Sequence, residues 1–94
     1  YHILKRIMQT ESQVQNKVIK ELESKGYYLI KLIKTNKNGI PDLIAIKQNE
    51  IPIFIEVKTE TGILSMLQKF RLKELKEKGF NCFYTKGCKM IEYE

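Results

Sequence analysis

The sequence has few of the residue types on which many functional sites depend. Its two cysteines, Cys82 and Cys88, stand six positions apart without a C-x-x-C pair, so they indicate neither a zinc site nor a disulfide framework. The one histidine, His2, lies at the terminus and is interpreted as a solvated side chain. We therefore expect reduced thiols in an intracellular, cytoplasmic protein, with Cys82 as a small residue of the core.

Long apolar runs and linker segments are missing as well. No stretch reaches the roughly 18–20 apolar residues that cross a bilayer, and no signal-peptide pattern appears, so we expect no membrane partner. Without repeats or a Pro/Gly/Ser-rich linker, the 94 residues predict a single domain over 1–94. Residues 1–9 match no element and are interpreted as a leader or N-terminal extension, with Met8 as a candidate start.

Aspartate is the scarcest charged residue, and its one position is unusual. The chain has 17 Lys/Arg against 11 Asp/Glu and a formal charge of +6, which suits either a solubilising surface or a polyanionic partner. Every acidic residue is Glu except Asp42, which stands directly before an apolar run, Leu43–Ile46. A carboxylate is costly to desolvate there, so Asp42 is a candidate functional residue.

Local patterns predict two helices and four or five strands. A Ser or Thr followed three residues later by Gln forms a capping box before each helix: Thr10 with Gln13, and Ser65 with Gln68. A glycine suited to end a helix follows each apolar stripe: Gly26 and Gly79. Four strands are predicted over 27–34, 41–47, 53–58 and 81–85, and 89–94 is an edge strand or a tail. This order, α-β-β-β-α-β(-β), predicts an α/β fold with one mixed central sheet flanked by helices.

Two of the predicted strands carry charged residues in apolar surroundings. Asp42 opens one strand, and Glu56 interrupts the other, with Lys58 two residues on and therefore on the same face. The short turn between them favours an antiparallel hairpin, which brings Asp42 close to Glu56 and Lys58. Two carboxylates in such a site repel each other unless a cation lies between them, and Mg²⁺ suits oxygen ligands. From these three residues alone, a structural ion pair of Lys58 with either acid is the simpler interpretation.

The second predicted helix has polar residues on its inward face. At about 100° per residue, Gln68 and Arg71 fall within the arc set by Leu64, Leu67, Leu72 and Leu75. Polar groups there need partners, so they either cap a strand end or face the site of Asp42 and Glu56. Glu11, in the first turn of the first helix, is favoured by the helix dipole and carries little weight alone.

Taken together, these motifs are similar to the PD-(D/E)xK nuclease superfamily and, within it, to the virus-type replication-repair nuclease (VRR-NUC) domain. That domain combines an early helical Glu, a G-x-P-D strand, an E-V-K strand, and a Gln on the helix after a G-x-L-S turn. Between about Glu11 and Gly79 the matching residues are Glu11, Gly39-Ile40-Pro41-Asp42, Glu56-Val57-Lys58, Gly62-Ile63-Leu64-Ser65 and Gln68. Each motif is common alone, but their order in one frame is specific.

The resemblance implies metal-dependent hydrolysis of DNA phosphodiester bonds. It assigns Asp42, Glu56 and the backbone carbonyl of Val57 to Mg²⁺ or Mn²⁺, and Glu11 completes the acidic cluster directly or through water. Lys58 would orient or activate the attacking water, and Gln68 would position the water or a phosphate. The implied catalytic residues are Asp42, Glu56, Lys58, Gln68 and Glu11, with no small-molecule cofactor.

Short members of this family resemble viral or phage enzymes that dimerise and cut branched DNA, such as Holliday junctions or flaps. By that analogy we expect a homodimer acting on branched or duplex DNA, in the host-cell cytoplasm if the protein is viral. Seven Lys/Arg against two Glu lie between Ser65 and Met90, which suits phosphate binding. DNA contacts are predicted at Lys69, Arg71, Lys73 and Lys37.

Two other functions are compatible with the same pattern. A non-catalytic nucleic-acid-binding module would keep the fold and the basic surface, and a purely structural domain would use the acids in ion pairs. Tyr27, Tyr28 and Tyr84 are able to stack on bases, although packing within the sheet is the preferred interpretation.

Overall fold

The computed structural model describes residues 9–94, and the elements follow one another in the predicted order. Helix α1 (Glu11–Ser24) precedes three strands, β1 (Tyr28–Lys31), β2 (Leu43–Ile46) and β3 (Ile53–Glu56). Helix α2 (Met66–Glu77) then leads to β4 (Asn81–Lys86) and β5 (Lys89–Glu92). The predicted leader or extension, 1–9, lies outside the described residues except for its last position.

Both helices begin where the sequence predicts. Thr10 and Ser65 are the N-caps, and each forms a reciprocal capping box with the glutamine three residues on. The side-chain oxygen of the cap accepts a hydrogen bond from the backbone N–H of the glutamine, and the glutamine Oε1 accepts one from the backbone N–H of the cap. Short-range hydrogen bonds therefore fix both helix starts.

The five strands form one mixed sheet in the order β1-β2-β3-β4-β5. The pairs β1–β2, β2–β3 and β4–β5 are antiparallel, while β3 and β4 are parallel because α2 carries the chain back between them. The predicted β2–β3 hairpin is confirmed, and the last segment is an edge strand. At one end of the sheet, the start of β2 therefore lies beside the ends of β1, β3 and β4.

The hydrophobic core lies between α1 and one face of the sheet. Its buried residues come from the helix and from β2, β3 and the position after β3: Val14, Val18, Leu22, Leu43, Ala45, Ile55 and Val57. Because side chains alternate along β3, Ile55 faces α1 and Glu56 faces the opposite side, where α2 packs against β4. Cys82 is buried, as predicted. The α/β fold with a mixed sheet flanked by helices is confirmed.

Strands β1, β2 and β3 are shorter than predicted, chiefly at the end of the sheet that holds Asp42 and Glu56. β1 ends at Lys31, before the predicted 34, and neither Asp42 nor the pair Val57-Lys58 belongs to a strand. Side chains replace the ladder there, since the N–H of Val57 donates to the Asp42 carboxylate and the N–H of Lys58 to the hydroxyl of Thr85. No helix within residues 9–94 has the length and apolar character to span a membrane.

Candidate active site

Asp42 and Glu56 meet where β2 begins and β3 ends. The antiparallel register pairs Leu43 with Ile55, so the next positions outward are Asp42 and Glu56, opposite one another. Their carboxyl groups are close enough for the charge of Asp42 to act on Glu56. The predicted convergence of the two acids is confirmed, whereas their part in catalysis stays a prediction.

Glu56 is almost completely buried, which is rare for a carboxylate. The residue is 3% exposed, and its pKa is raised from an ordinary 4.5 to about 9, first by this burial. The charge of Asp42 raises the pKa further, Lys58 lowers it, and Glu11 adds a small repulsion. Near neutral pH the site therefore holds a proton on Glu56, unless a cation takes the place of that proton.

Asp42 is held in place by its backbone neighbours and by α2. Its Oδ2 accepts the N–H of Val57 at 2.8 Å, and its carbonyl accepts the N–H of Leu32 at 2.8 Å. Gly39, with a φ of 79°, would place a Cβ 2.6 Å from Cγ of Leu67, so a side chain there would clash with this leucine. The glycine of the G-x-P-D motif thus lets the segment before Asp42 lie directly against α2.

The charge of Lys58 acts on Glu56 from a backbone that β4 fixes. Its N–H donates to Oγ1 of Thr85 at 3.0 Å, and the Thr85 hydroxyl donates to the Lys58 carbonyl at 3.1 Å. The ammonium nitrogen lies 3.8 Å from Oε1 of Glu11, and the lysine side chain is only 13% exposed. The ion pair of Lys58 is therefore with Glu11, while its charge also acts on Glu56.

Thr85 is the site residue that the sequence analysis missed. Its side chain is fully buried and spans the gap between β4 and the chain just beyond β3. A threonine in a strand is ordinary, so nothing local distinguishes it. The only signal would have been the parallel pairing of β3 with β4, which the sequence analysis did not predict.

Gln68 links the capping box of α2 to the acidic pair. Its Oε1 accepts the N–H of Ser65 at 2.9 Å, and its Nε2 donates to Oε2 of Glu56 at 3.2 Å. The capping bond fixes which way the amide points, and the remaining N–H groups face the carboxylate. Of the two alternatives for this inward glutamine, capping a strand end or facing the acidic site, the structure shows the second.

Arg71 has a bracing position on the same helix. Its Nε donates to the carbonyl of Asn38 at 2.8 Å, and its Nη1 donates to Glu74 at 3.1 Å. These bonds hold the loop before Asp42 against α2. They also occupy two of the N–H groups that a bound phosphate would need, so a DNA contact of Arg71 stays a prediction with less support than those of the lysines.

The other predicted DNA contacts lie on either side of the acidic pair. Lys37 is exposed and borders, with Lys34 and Asp42, a cavity of about 360 Å³ at the β1–β2 loop. Lys69 and Lys73 are exposed on α2. The acidic pair is thus flanked by positive charge from two elements.

The donors available for a metal ion are hard oxygen atoms. Within residues 9–94 no three His, Cys, Asp or Glu side chains gather as a ligand group, so Asp42 and Glu56 stand as a pair and Glu11 remains at Lys58. Val57 packs its side chain into the core, which fixes its backbone beside Asp42. Mg²⁺ is commonly held by one or two carboxylates, with water and substrate phosphate completing its shell. The residues present fit that requirement.

Comparison with known proteins agrees with this geometry. The family model described as the VRR-NUC domain matches residues 4–88. A solved structure described as a VRR_NUC domain is 26% identical, with a TM-score of 0.74, and the match covers 83% of this chain and 85% of that one. The curated proteins contain no match. Since the family model spans most of the sequence and the fold agrees, the chain belongs to the VRR-NUC family of nuclease domains.

Proposed function

We propose that the chain is a metal-dependent endonuclease that hydrolyses DNA phosphodiester bonds and prefers branched DNA. The observation that carries the proposal is the pairing of buried Glu56 with half-buried Asp42 beside the shielded ammonium of Lys58. Membership of a nuclease domain family supports hydrolysis of a nucleic acid. A pair of acids, one of them buried, with a pKa conflict is a costly arrangement that a purely structural role does not require.

Asp42 and Glu56 would hold Mg²⁺ or Mn²⁺, together with the carbonyl of Val57 and, through water, Glu11. When bound, the ion supplies positive charge that polarises a phosphate and makes water more acidic. The chain supplies the orientation of the ligands, since Gln68 donates to Glu56 and the N–H of Val57 donates to Asp42. Both carboxylates are therefore aimed before any substrate binds.

Lys58 would stabilise the negative charge that grows on the phosphate as water attacks. Its ammonium is shielded from solvent, where a charge interaction is stronger than in bulk water. The two bonds to Thr85 fix its backbone, and the pair with Glu11 keeps the side chain extended toward the site. Its contribution would then be electrostatic and preorganised.

DNA would cross the end of the sheet that holds Asp42 and Glu56, between the β1–β2 loop and α2. The exposed cations on the two sides, Lys37 on the loop and Lys69 and Lys73 on the helix, would contact phosphates, with Arg71 in a lesser part. A DNA strand that bends away at a branch point reaches this end of the sheet more easily than a DNA strand within a regular duplex. This is the physical reason for proposing branched substrates.

The test is a cleavage panel of single-stranded, duplex, flap, splayed and four-way DNA with Mg²⁺ or Mn²⁺. We expect cleavage of at least one branched substrate, and a loss of about 10²–10³-fold in rate for Lys58→Ala, the usual cost of removing one charge-stabilising group. Lys47→Ala, a lysine on the opposite end of β2, is the matched control and should cut like the wild type.

Binding of the panel without cleavage in either metal would contradict the proposal and favour the non-catalytic module. Equal rates for Lys58→Ala and the wild type would remove Lys58 from the mechanism.

A homodimer is the second part of the proposal, because a branched junction requires two cuts. Three large apolar side chains at the start of α2 are exposed, Ile63 at 85%, Met66 at 84% and Phe70 at 55%. The last two are four residues apart and share the outer face of the helix. Such a patch on a small domain suits a second copy of the chain.

We expect light scattering to give a dimeric mass for the wild type and a shift toward monomer for Phe70→Asp. Ile33→Asp, at an apolar residue that is exposed on the β1–β2 loop, is the control and should leave the mass unchanged. A monomeric wild type at tens of micromolar would contradict the dimer without affecting the proposed chemistry.

A further inference from the structure

A second cavity lies one strand away from the acidic pair. It has a volume of about 200 Å³, and its lining consists of the turn before α2, one lysine of that helix and two residues of β4: Gly62, Ile63, Leu64, Lys69, Tyr84 and Lys86. Two lysines and one tyrosine therefore join apolar residues around the same space. Neither Tyr84 nor Lys86 has a part in the chemistry proposed above.

The sheet register relates this cavity to Glu56. Tyr84 is the direct neighbour of Glu56 on the adjoining parallel strand, at a backbone spacing of about 4.8 Å. Lys86 lies two residues further along β4 and therefore on the same face as Tyr84 and Glu56. The cavity is thus on the active-site face, beside the acids and away from the cavity at the β1–β2 loop.

The positive charge at this position has no acidic partner of its own. Lys86 is the direct cross-strand partner of Lys89 at the β4–β5 turn, an arrangement that costs free energy because like charges face each other. Within the part of the chain that the structure describes, no ion pair involves Lys69, Lys86 or Lys89. The nearby Glu60 packs against Gly87 of the turn without forming such a pair. A bound anion would relieve the repulsion.

We propose that Lys69, Tyr84 and Lys86 form a phosphate-binding subsite that holds a DNA phosphate neighbouring the scissile one. Two ammonium groups supply the charge, and the phenol of Tyr84 supplies a hydrogen-bond donor with a fixed direction. The subsite has a use only if the chain acts on DNA, so it rests on the proposed function. Together with Lys37, the subsite defines the direction in which the DNA strand crosses the end of the sheet that holds the acidic pair.

The test measures binding of a fluorescent four-way DNA in EDTA, where no cleavage interferes. Lys69→Gln/Lys86→Gln should weaken binding about tenfold near 0.1 M salt, and the slope of log K against log salt should fall by about 0.7–0.9, the change for one lost phosphate contact. The control is Lys17→Gln/Lys20→Gln, which makes the same charge change at exposed positions of α1 on the other side of the sheet. Tyr84→Phe should show a smaller loss of affinity with no change in slope.

A series of DNAs, each with one neutral methylphosphonate, locates the contact. The wild type should lose affinity at one position that has no effect on the lysine double variant. Equal losses of affinity in the two double variants would overturn the subsite. The same dependence on methylphosphonate position in the wild type and in Lys69→Gln/Lys86→Gln would also overturn it. Cleavage assays with metal test the proposed function separately. If the wild type does not cut, the binding result still tests the subsite; if it cuts, a failed binding test still contradicts the subsite.

Discussion

Asp42→Asn is expected to remove DNA cleavage while leaving the fold intact. Asparagine has nearly the same shape, and its oxygen is able to accept the N–H of Val57 as Oδ2 of Asp42 does at 2.8 Å. What the substitution removes is one of the two negative charges proposed to hold the metal. Loss of a group that orients a metal ligand typically costs about 10–100-fold, so loss of a ligand charge should cost more than that.

The measurement is the initial rate on the best branched substrate, together with a thermal melt of each variant. Glu50→Gln is the matched control, since it removes one carboxylate charge from an exposed position paired with Lys47 on the β2–β3 turn. We expect the control to cut normally. A wild-type rate for Asp42→Asn, with an unchanged melting temperature, would show that Asp42 is no ligand of a catalytic metal.

The site illustrates which features a sequence is able to predict. Both helix starts were correct because a capping box is a short-range pattern, and Gln68 belongs to one such box. Its helical angle, also a local quantity, predicted an inward position but left two partners open, a strand end or the acids. The meeting of Asp42 and Glu56 followed from the β2–β3 hairpin, whose turn is short.

The features that escaped prediction depend on partners distant in the chain. β3 ends early because Asp42 and Thr85, which are 15 and 27 residues from their partners Val57 and Lys58, replace the ladder bonds. Alternation of residue types continues through these positions and gives no sign of the change. The ion pair of Lys58 with Glu11 likewise joins the first helix to the third strand's end.

The leucine stripe of α2 was only partly correct for a related reason. Leu72 is fully buried, whereas Leu67 is 42% exposed and packs against Gly39 at the loop before Asp42. Helical angle predicts which side a residue faces, but the extent of the surface that covers it depends on tertiary structure. Here a loop covers part of the helix start, so the leucine serves to position the site more than to fill a core.

Glu56→Gln is expected to stabilise the metal-free protein at alkaline pH, because the pKa of Glu56 is about 9 when folded and near 4.5 when unfolded. Between these values the folded chain holds a proton that the unfolded chain has released. The unfolded state binds fewer protons, so stability falls as pH rises through this window. The slope is at most about 1.4 kcal/mol per pH unit, and about 1 kcal/mol corresponds to roughly 4–8 °C in a domain of this size.

Melting temperatures in EDTA between pH 5.5 and 8.5 measure this effect. The wild type should lose stability across the range, and Glu56→Gln, which keeps the shape but has no proton to release, should show a flatter profile. The Cys82 thiol, whose pKa burial raises from 9.0 to about 11, adds the same small loss of stability near pH 8.5 in both proteins, so its contribution cancels between the two profiles. Parallel profiles for the two proteins would contradict the assignment of the pH dependence to Glu56.

Adding Mg²⁺ or Mn²⁺ at pH 8 then separates a proton from a metal at the same position. A divalent ion binds the ionised carboxylates and displaces the proton, so it should raise the melting temperature of the wild type and do so more at pH 8 than at pH 6. Glu56→Gln offers one charge fewer and should gain less. If both proteins gain equally, the ion binds elsewhere; if the difference grows with pH, the pair of acids is the metal site, and the cost of burying Glu56 is explained by the cation that it awaits.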